Sequence, residues 1–136
     1  SPINPDWVRE GNPVARSRVL SRTTDELGCT IIWDCTAGKF DWLYDINETI
    51  LVLEGSVTID DGVAPPKRLW PGDVAFFPAG SKAHWHVDEY VRKIAYCHRP
   101  LPTLMQTPVR LLRRLKARLR GQAAAGGLMN FDPGHS

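Results

Sequence analysis

The chain is poor in the features that mark special environments. No run approaches the roughly 18 to 20 consecutive apolar residues that a membrane-crossing helix needs. The first 30 residues contain no basic start followed by an apolar stretch, so a soluble protein of the cytoplasm is expected. Cysteine occurs three times, as Cys29, Cys35 and Cys97, too few and too irregular for a disulfide framework. No Cys-x-x-Cys pair suggests a zinc or redox motif, and the thiols are expected reduced, in or near a core. A phosphate-cradling Gly-rich loop, a nucleophile elbow and a His-Glu-x-x-His motif are all missing. Phosphoryl transfer, serine hydrolysis of the α/β type and zinc peptidase chemistry therefore have no support. With 136 residues there is room for one modest core and no second full domain.

A large excess of one charge is also absent, since 17 Lys and Arg stand against 15 Asp and Glu. The balance hides an asymmetry. Residues 1–100 carry 11 basic against 14 acidic side chains, and residues 101–136 carry 6 against 1. The basic character belongs to the tail, and the body gives no reason to expect a nucleic-acid binder.

What is present from Thr30 to His98 is a series of short runs rich in Ile, Val, Trp, Tyr and Phe, broken by Gly, Pro and Asp. That spacing predicts an all-β sandwich or barrel. The runs are Thr30 to Thr36, Phe40 to Ile46, Glu48 to Leu53, Ser56 to Asp60, Arg68 to Trp70, Asp73 to Phe77, Ala83 to Val87 and Val91 to His98. Asp60-Asp61-Gly62 reads as a hairpin turn, and Pro71-Gly72-Asp73 and Pro78-Ala79-Gly80 as turns with a rigid Pro ahead of a permissive Gly. The run Glu48 to Leu53 is apolar on both alternating faces after its first two residues, so both faces need cover and a homodimer is expected.

After Pro100 the period changes. Val109, Leu112, Leu115 and Leu119 recur at helical spacing with Leu111 beside them, while Arg110, Arg113, Arg114, Lys116, Arg118 and Arg120 fill the intervening positions. This predicts a basic amphipathic helix that Gly121 would end, followed by a loose tail. Such a helix can lie on an anionic membrane surface, bind the phosphates of a nucleic acid, or pack its leucines on the barrel with the arginines solvated; packing is the commonest fate. The expected organisation is an N-terminal extension over residues 1–29 that packs on the barrel, a barrel over residues 30–100, and the helix with its tail over residues 101–136.

Two segments, Gly38 to Gly55 and Gly72 to Val87, resemble the two motifs of the cupin superfamily. In the first, Glu48 and Gly55 stand in register, while Gly38 lies two or three residues too close to Glu48. In the second, Gly72, Pro78 and Gly80 fit. The runs Trp33-Asp34-Cys35-Thr36-Ala37-Gly38-Lys39-Phe40, Asn47-Glu48-Thr49, Val52-Leu53-Glu54-Gly55, Pro71-Gly72-Asp73, Phe77-Pro78-Ala79-Gly80 and Val91-Arg92-Lys93 are similar to the small single-domain branch related to ureidoglycine aminohydrolase. The resemblance spans roughly Thr30 to His98 and implies a jelly-roll β-barrel with a pocket.

It also implies a divalent ion such as zinc, manganese or iron, held by imidazoles and a carboxylate. The sequence departs from that pattern. Counting back from Glu48, the two His positions of the first motif fall on Trp42 and Tyr44 or on Asp41 and Leu43, and the His position of the second falls on Ala83. A methyl group and an indole donate no lone pair to a metal, so no cofactor is expected. His84 and His86 alternate with Ala83, Trp85 and Val87; with Ala83 and Trp85 turned inward, both imidazoles point out, as does His98 near the end of its strand. A one-residue bulge would instead turn His84 and His86 inward to join Glu48 as a metal set.

The expected function is binding of a small polar or carbonyl-bearing molecule in the barrel, with Trp42, Tyr44, Glu48 and Trp85 as walls and Trp33 and Phe77 nearby. The rival is a metal-dependent cupin enzyme, of the ureidoglycine aminohydrolase kind or another, with Glu48 as general acid or base. Glu48 also reads as a structural group bonded to Tyr44, to Lys39 or to backbone. A third class is an interaction protein, in which the barrel dimerises and the basic helix engages a partner.

Overall fold

A computed structural model describes residues 2–100 and 103–124. A short 3-10 turn, Pro5–Trp7, leads into β1 (Val8–Gly11) and β2 (Ala15–Arg22); β3 (Gly28–Leu43), β4 (Asn47–Gly55), β5 (Val57–Asp60), β6 (Lys67–Leu69), β7 (Val74–Phe77) and β8 (Lys82–His98) follow. Residues up to Pro100 form one compact unit, and α1 (Thr103–Ala124) belongs to another.

The frame is a pair of long antiparallel strands. β3 and β8 run side by side from Gly28↔His98 to Leu43↔Lys82, with a register shift between Thr36 and Gly38. On one side of the shift the sheet order is β2-β3-β8-β4-β7, and on the other it is β1-β3-β8-β5-β6. The same two strands thus serve both sheets, and the all-β jelly roll with a C-terminal helix is the observed architecture. Between the sheets lie Cys35, Phe40, Ile50, Val52, Val57, Val87 and Val91, all essentially out of solvent. Burying such side chains contributes on the order of 1.5–3 kcal/mol each.

The structure redraws several expected boundaries. The runs before and after Ala37-Gly38 are one strand, because the Gly there accommodates a bulge rather than a turn. The runs before and after Asp88-Glu89 are likewise joined in β8. The expected tight hairpin at Asp60-Asp61-Gly62 is a wider loop over residues 61–66: Asp61 accepts the N–H groups of Val63 and Ala64, and Pro65 and Pro66 have no N–H to extend the ladder. Pro71 and Gly72 do form a turn, with Asp73 N–H donating to Trp70 O at 2.9 Å and Gly72 at φ 94°. Pro78 to Ser81 closes another, with Gly80 at φ 87°.

Along β4 the inner row Glu48, Ile50 and Val52 is buried, while Leu51 on the outer row is partly exposed beside Val74, Phe76 and Tyr96 of the flanking strands. The helix does not stop at Gly121. It runs to Ala124, since one Gly costs a helix only about 1 kcal/mol against Ala and Gln122, Ala123 and Ala124 are good helix formers. The loose tail expected after the helix lies outside the described residues from 125 onward.

Candidate functional site

Strict alternation sets the inner face of β8: Ala83, Trp85 and Val87 before the bend, Val91, Lys93, Ala95 and Cys97 after it. Opposite them β3 supplies Trp33, Phe40 and Trp42, β4 supplies Glu48, and β7 supplies Phe77. Trp42 pairs with Ala83 across the ladder, so the small residue leaves room for indole rings. Trp33 meets Trp85 edge-on at 5.7 Å, Phe40 stacks on Trp85 at 5.9 Å and Tyr44 stacks on Phe77 at 4.6 Å. Trp85 Nε1 donates to the Tyr44 hydroxyl at 3.0 Å. Trp42, Tyr44, Glu48 and Trp85, expected as walls of a ligand pocket, therefore lie together. The space they enclose with Trp33, Phe40 and Lys93 is only about 10 Å³, roughly one water molecule.

The polar centre of this cluster is an ion pair. Lys93 Nζ donates to Glu48 Oε2 at 3.1 Å, with Lys93 5% and Glu48 8% exposed. The ammonium also lies 4.8 Å from the Trp33 ring and 4.9 Å from the Trp85 ring, so two π faces and a carboxylate replace its water shell. The Cys97 thiol donates to the other Glu48 oxygen at 3.5 Å. Neither Tyr44 nor Lys39 bonds to Glu48; Lys39 pairs with Glu10 at 2.9 Å. The sequence reading missed Lys93, although its place between Val91 and Ala95 on an alternating strand points it inward. Burial pushes the Cys97 thiol up to about 12, with Glu48 adding to the effect, and burial likewise pushes Cys35 to about 12. Tyr44 is raised further by the same cause. At neutral pH both thiols and the phenol are uncharged hydrogen-bonding groups rather than nucleophiles.

His84 and His86 are on the outer face of β8, away from Glu48. His84 Nδ1 lies 3.0 Å from Asp41 Oδ1 and His86 Nε2 lies 3.0 Å from Asp88 Oδ1. The interior donor set is one carboxylate already paired with an ammonium, a neutral thiol and a phenol. That set does not fit a divalent cation, and among the described residues no three His, Cys, Asp or Glu side chains converge on a common point.

Asp41 has its own network on that outer face. His84, then Arg9 with Nε 2.8 Å from Oδ2, and Lys82 at 3.6 Å hold its carboxyl down at about 2. A carboxyl whose folded value is depressed contributes stability above its unfolded value near 3.9 and loses it as pH falls toward 2. Asp41→Asn is therefore expected to lower the melting temperature at pH 6, with the gap to the parent protein narrowing between about pH 4 and pH 2. A melting-temperature series showing a constant gap would remove this role.

Wider openings lie elsewhere on the barrel. One of about 560 Å³ is lined by Arg22, Glu26, Leu27, Gly28, Cys29, Ile46, Cys97 and Arg99. Its buried floor includes Cys97, whose thiol contacts Glu48 on the inner side. Glu26 at its rim sits at φ 62°, a left-handed conformation unusual for a non-Gly residue, in a turn where Asp25 accepts from Thr23 and Leu27. Arg99 is tethered by its N–H to Leu27 O at 2.6 Å. Among the described residues neither Arg22 nor Arg99 is in an ion pair. The second opening, about 580 Å³, is an apolar groove between β6 and β7 that includes Leu69, Phe76 and Phe77. Sequence reasoning named none of Arg22, Glu26 and Arg99, because they sit at strand ends where no periodicity operates.

This geometry has relatives. Residues 23–95, more than half the chain, match the EutQ-like cupin domain. The chain belongs to the EutQ-like cupin family. Among solved structures this cupin is similar to the EutQ protein of Clostridium difficile, with 24% identity, a TM-score of 0.55 and 63% of each chain covered. A putative ethanolamine utilization protein Q from Salmonella typhimurium is 21% identical with a TM-score of 0.55, over 62% of this cupin and 69% of that chain. A DUF861-family protein of unknown function from Pseudomonas syringae is 26% identical with a TM-score of 0.65, over 71% of this cupin but only 42% of that chain. This cupin thus spans less than two thirds of the C. difficile protein and under half of the P. syringae one. No curated protein matches it. The likeness to the ureidoglycine aminohydrolase branch rests on the short sequence runs alone.

Proposed function

We propose that this cupin is a binding domain for a small carboxylate-bearing molecule, taken up at the barrel mouth above the Glu48–Lys93 pair. The observation that carries the reading is the opening of about 560 Å³ with Arg22 and Arg99 at its rim and Cys97 at its floor. The volume is that of an ordinary small-molecule site. Guanidinium groups recognise carboxylates by charge-assisted, often bidentate hydrogen bonds, and Leu27, Cys29 and Ile46 supply apolar surface for the rest of the ligand. Behind the floor, the ion pair holds Cys97 in one orientation by accepting its thiol hydrogen. The neutral thiol supports binding rather than covalent catalysis.

The test is a thermal-shift and calorimetric screen of small mono- and dicarboxylates and 2-oxo acids, each beside its amide. Carboxylates are expected to raise the melting temperature and their amides not to. The double variant Arg22→Gln, Arg99→Gln is expected to weaken binding by about 10- to 100-fold, as loss of charge-assisted bonds implies. If no carboxylate stabilises the protein, or if stabilisation survives in the double variant, the mouth is not the site.

A further inference from the structure

We propose that α1 is an interfacial docking helix that lays its leucines into an anionic lipid surface. Leu111, Leu112, Leu115 and Leu119 are each 56% to 60% exposed. At 3.6 residues per turn these four positions fall within an arc of about 100°. Arg110, Arg113, Arg114, Lys116, Arg118 and Arg120 occupy the remaining arc, and no Asp or Glu occurs anywhere in Thr103–Ala124. Lys116 and Arg118 flank the leucine stripe on its two sides, where long cationic side chains reach lipid phosphates while their stems stay among apolar groups.

Charge complementarity selects the occupant. A nucleic acid would satisfy the arginines but leave four leucines in water. A second copy of the helix would cover the leucines but bring six like charges against six, with no acidic residue to offset them. An anionic bilayer meets both faces at once. The helix lies on the surface rather than spanning it, since no described helix is long and apolar enough to cross. The body, net negative over residues 1–100, is repelled by the same surface, which leaves the helix as the contact.

The experiment is co-sedimentation of the full chain with vesicles of phosphatidylglycerol and phosphatidylcholine in equal parts, against vesicles of phosphatidylcholine alone. Binding is expected at least 10-fold stronger to the anionic vesicles, weakened by 0.5 M salt and unaffected by 10 mM inorganic phosphate. Leu112→Ser with Leu115→Ser keeps every charge and is expected to lose at least 10-fold. Arg113→Glu with Arg114→Glu is expected to lose as much. Tryptophan emission, whose source is the barrel, reports whether the barrel of each variant remains folded, and far-ultraviolet circular dichroism whether its helix does. Equal affinity for the two vesicle types, or full binding by the Leu→Ser variant, overturns the proposal. Competition by duplex DNA at equal phosphate concentration that persists in the Leu→Ser variant also overturns it, in favour of a nucleic-acid contact.

Discussion

Gly55→Ala is expected to leave little folded protein. Gly55 closes β4 at φ 70°, and a Cβ there would lie 1.9 Å from Tyr90 O and 2.8 Å from the Tyr90 carbonyl carbon. The obstacle is backbone, and it is pinned: Ser56 N–H donates to that same Tyr90 oxygen at 3.2 Å, while Gly55 pairs with Val91 in the ladder. Relief requires the end of β4 to separate from β8. Combined with the left-handed φ, the cost is expected to reach about 4 kcal/mol or more, a large share of the stability of a domain this size. Gly62→Ala is the matched control. Its φ is 77°, yet nothing lies within 4 Å of the added carbon, so only the conformational penalty of about 1 to 2 kcal/mol applies. Urea denaturation followed by tryptophan fluorescence separates the two; equal losses would show that steric contact at Tyr90 is unimportant.

Lys93→Ala is the second large loss expected, at about 3–5 kcal/mol, because it strands the Glu48 carboxylate inside the barrel with only the Cys97 thiol for company. Glu48→Ala strands the ammonium between two indoles and is expected to cost a similar amount. The double change Lys93→Met, Glu48→Leu removes both charges at similar volume and is expected to recover most of the loss, since a buried pair is expensive to break but not to replace. Denaturation curves of the parent protein, the single variants Lys93→Met and Glu48→Leu, and their double form a thermodynamic cycle. Single losses below about 1 kcal/mol, or a double variant as unstable as the two singles added together, would mean that the pair does not govern interior stability.

Much of the barrel was legible because each sheet has one buried face, and a strand with one buried face writes itself in alternation. Trp33 and Cys35, Ile50 and Val52, and Trp85 and Val87 are such rows. The two long strands were harder to read. Ala37-Gly38 and Asp88-Glu89 carry the signs of a turn, and only pairing with partners far along the chain shows that the backbone continues. The ring cluster was also legible. The direction of His84 and His86 was left open, because a one-residue bulge would exchange the faces of that strand, and only its regular pairing with β3 turns both outward. The fullness of the interior was not, because packing density depends on rotamers and not on residue type. Lys93 was overlooked for a related reason: a lysine in a strand is ordinarily solvated, and its partner Glu48 lies on another strand. The mouth residues Arg22, Glu26 and Arg99 converge only through the β2–β3 turn, which no local pattern announces.

The shared strands have a consequence for how the molecule comes apart. Because β3 and β8 each pass from one sheet into the other without a break, there is no seam along which one layer can peel away while its opposite stays assembled. Fraying at either end shortens a backbone common to both layers, so residues 2–100 are expected to denature as a single event.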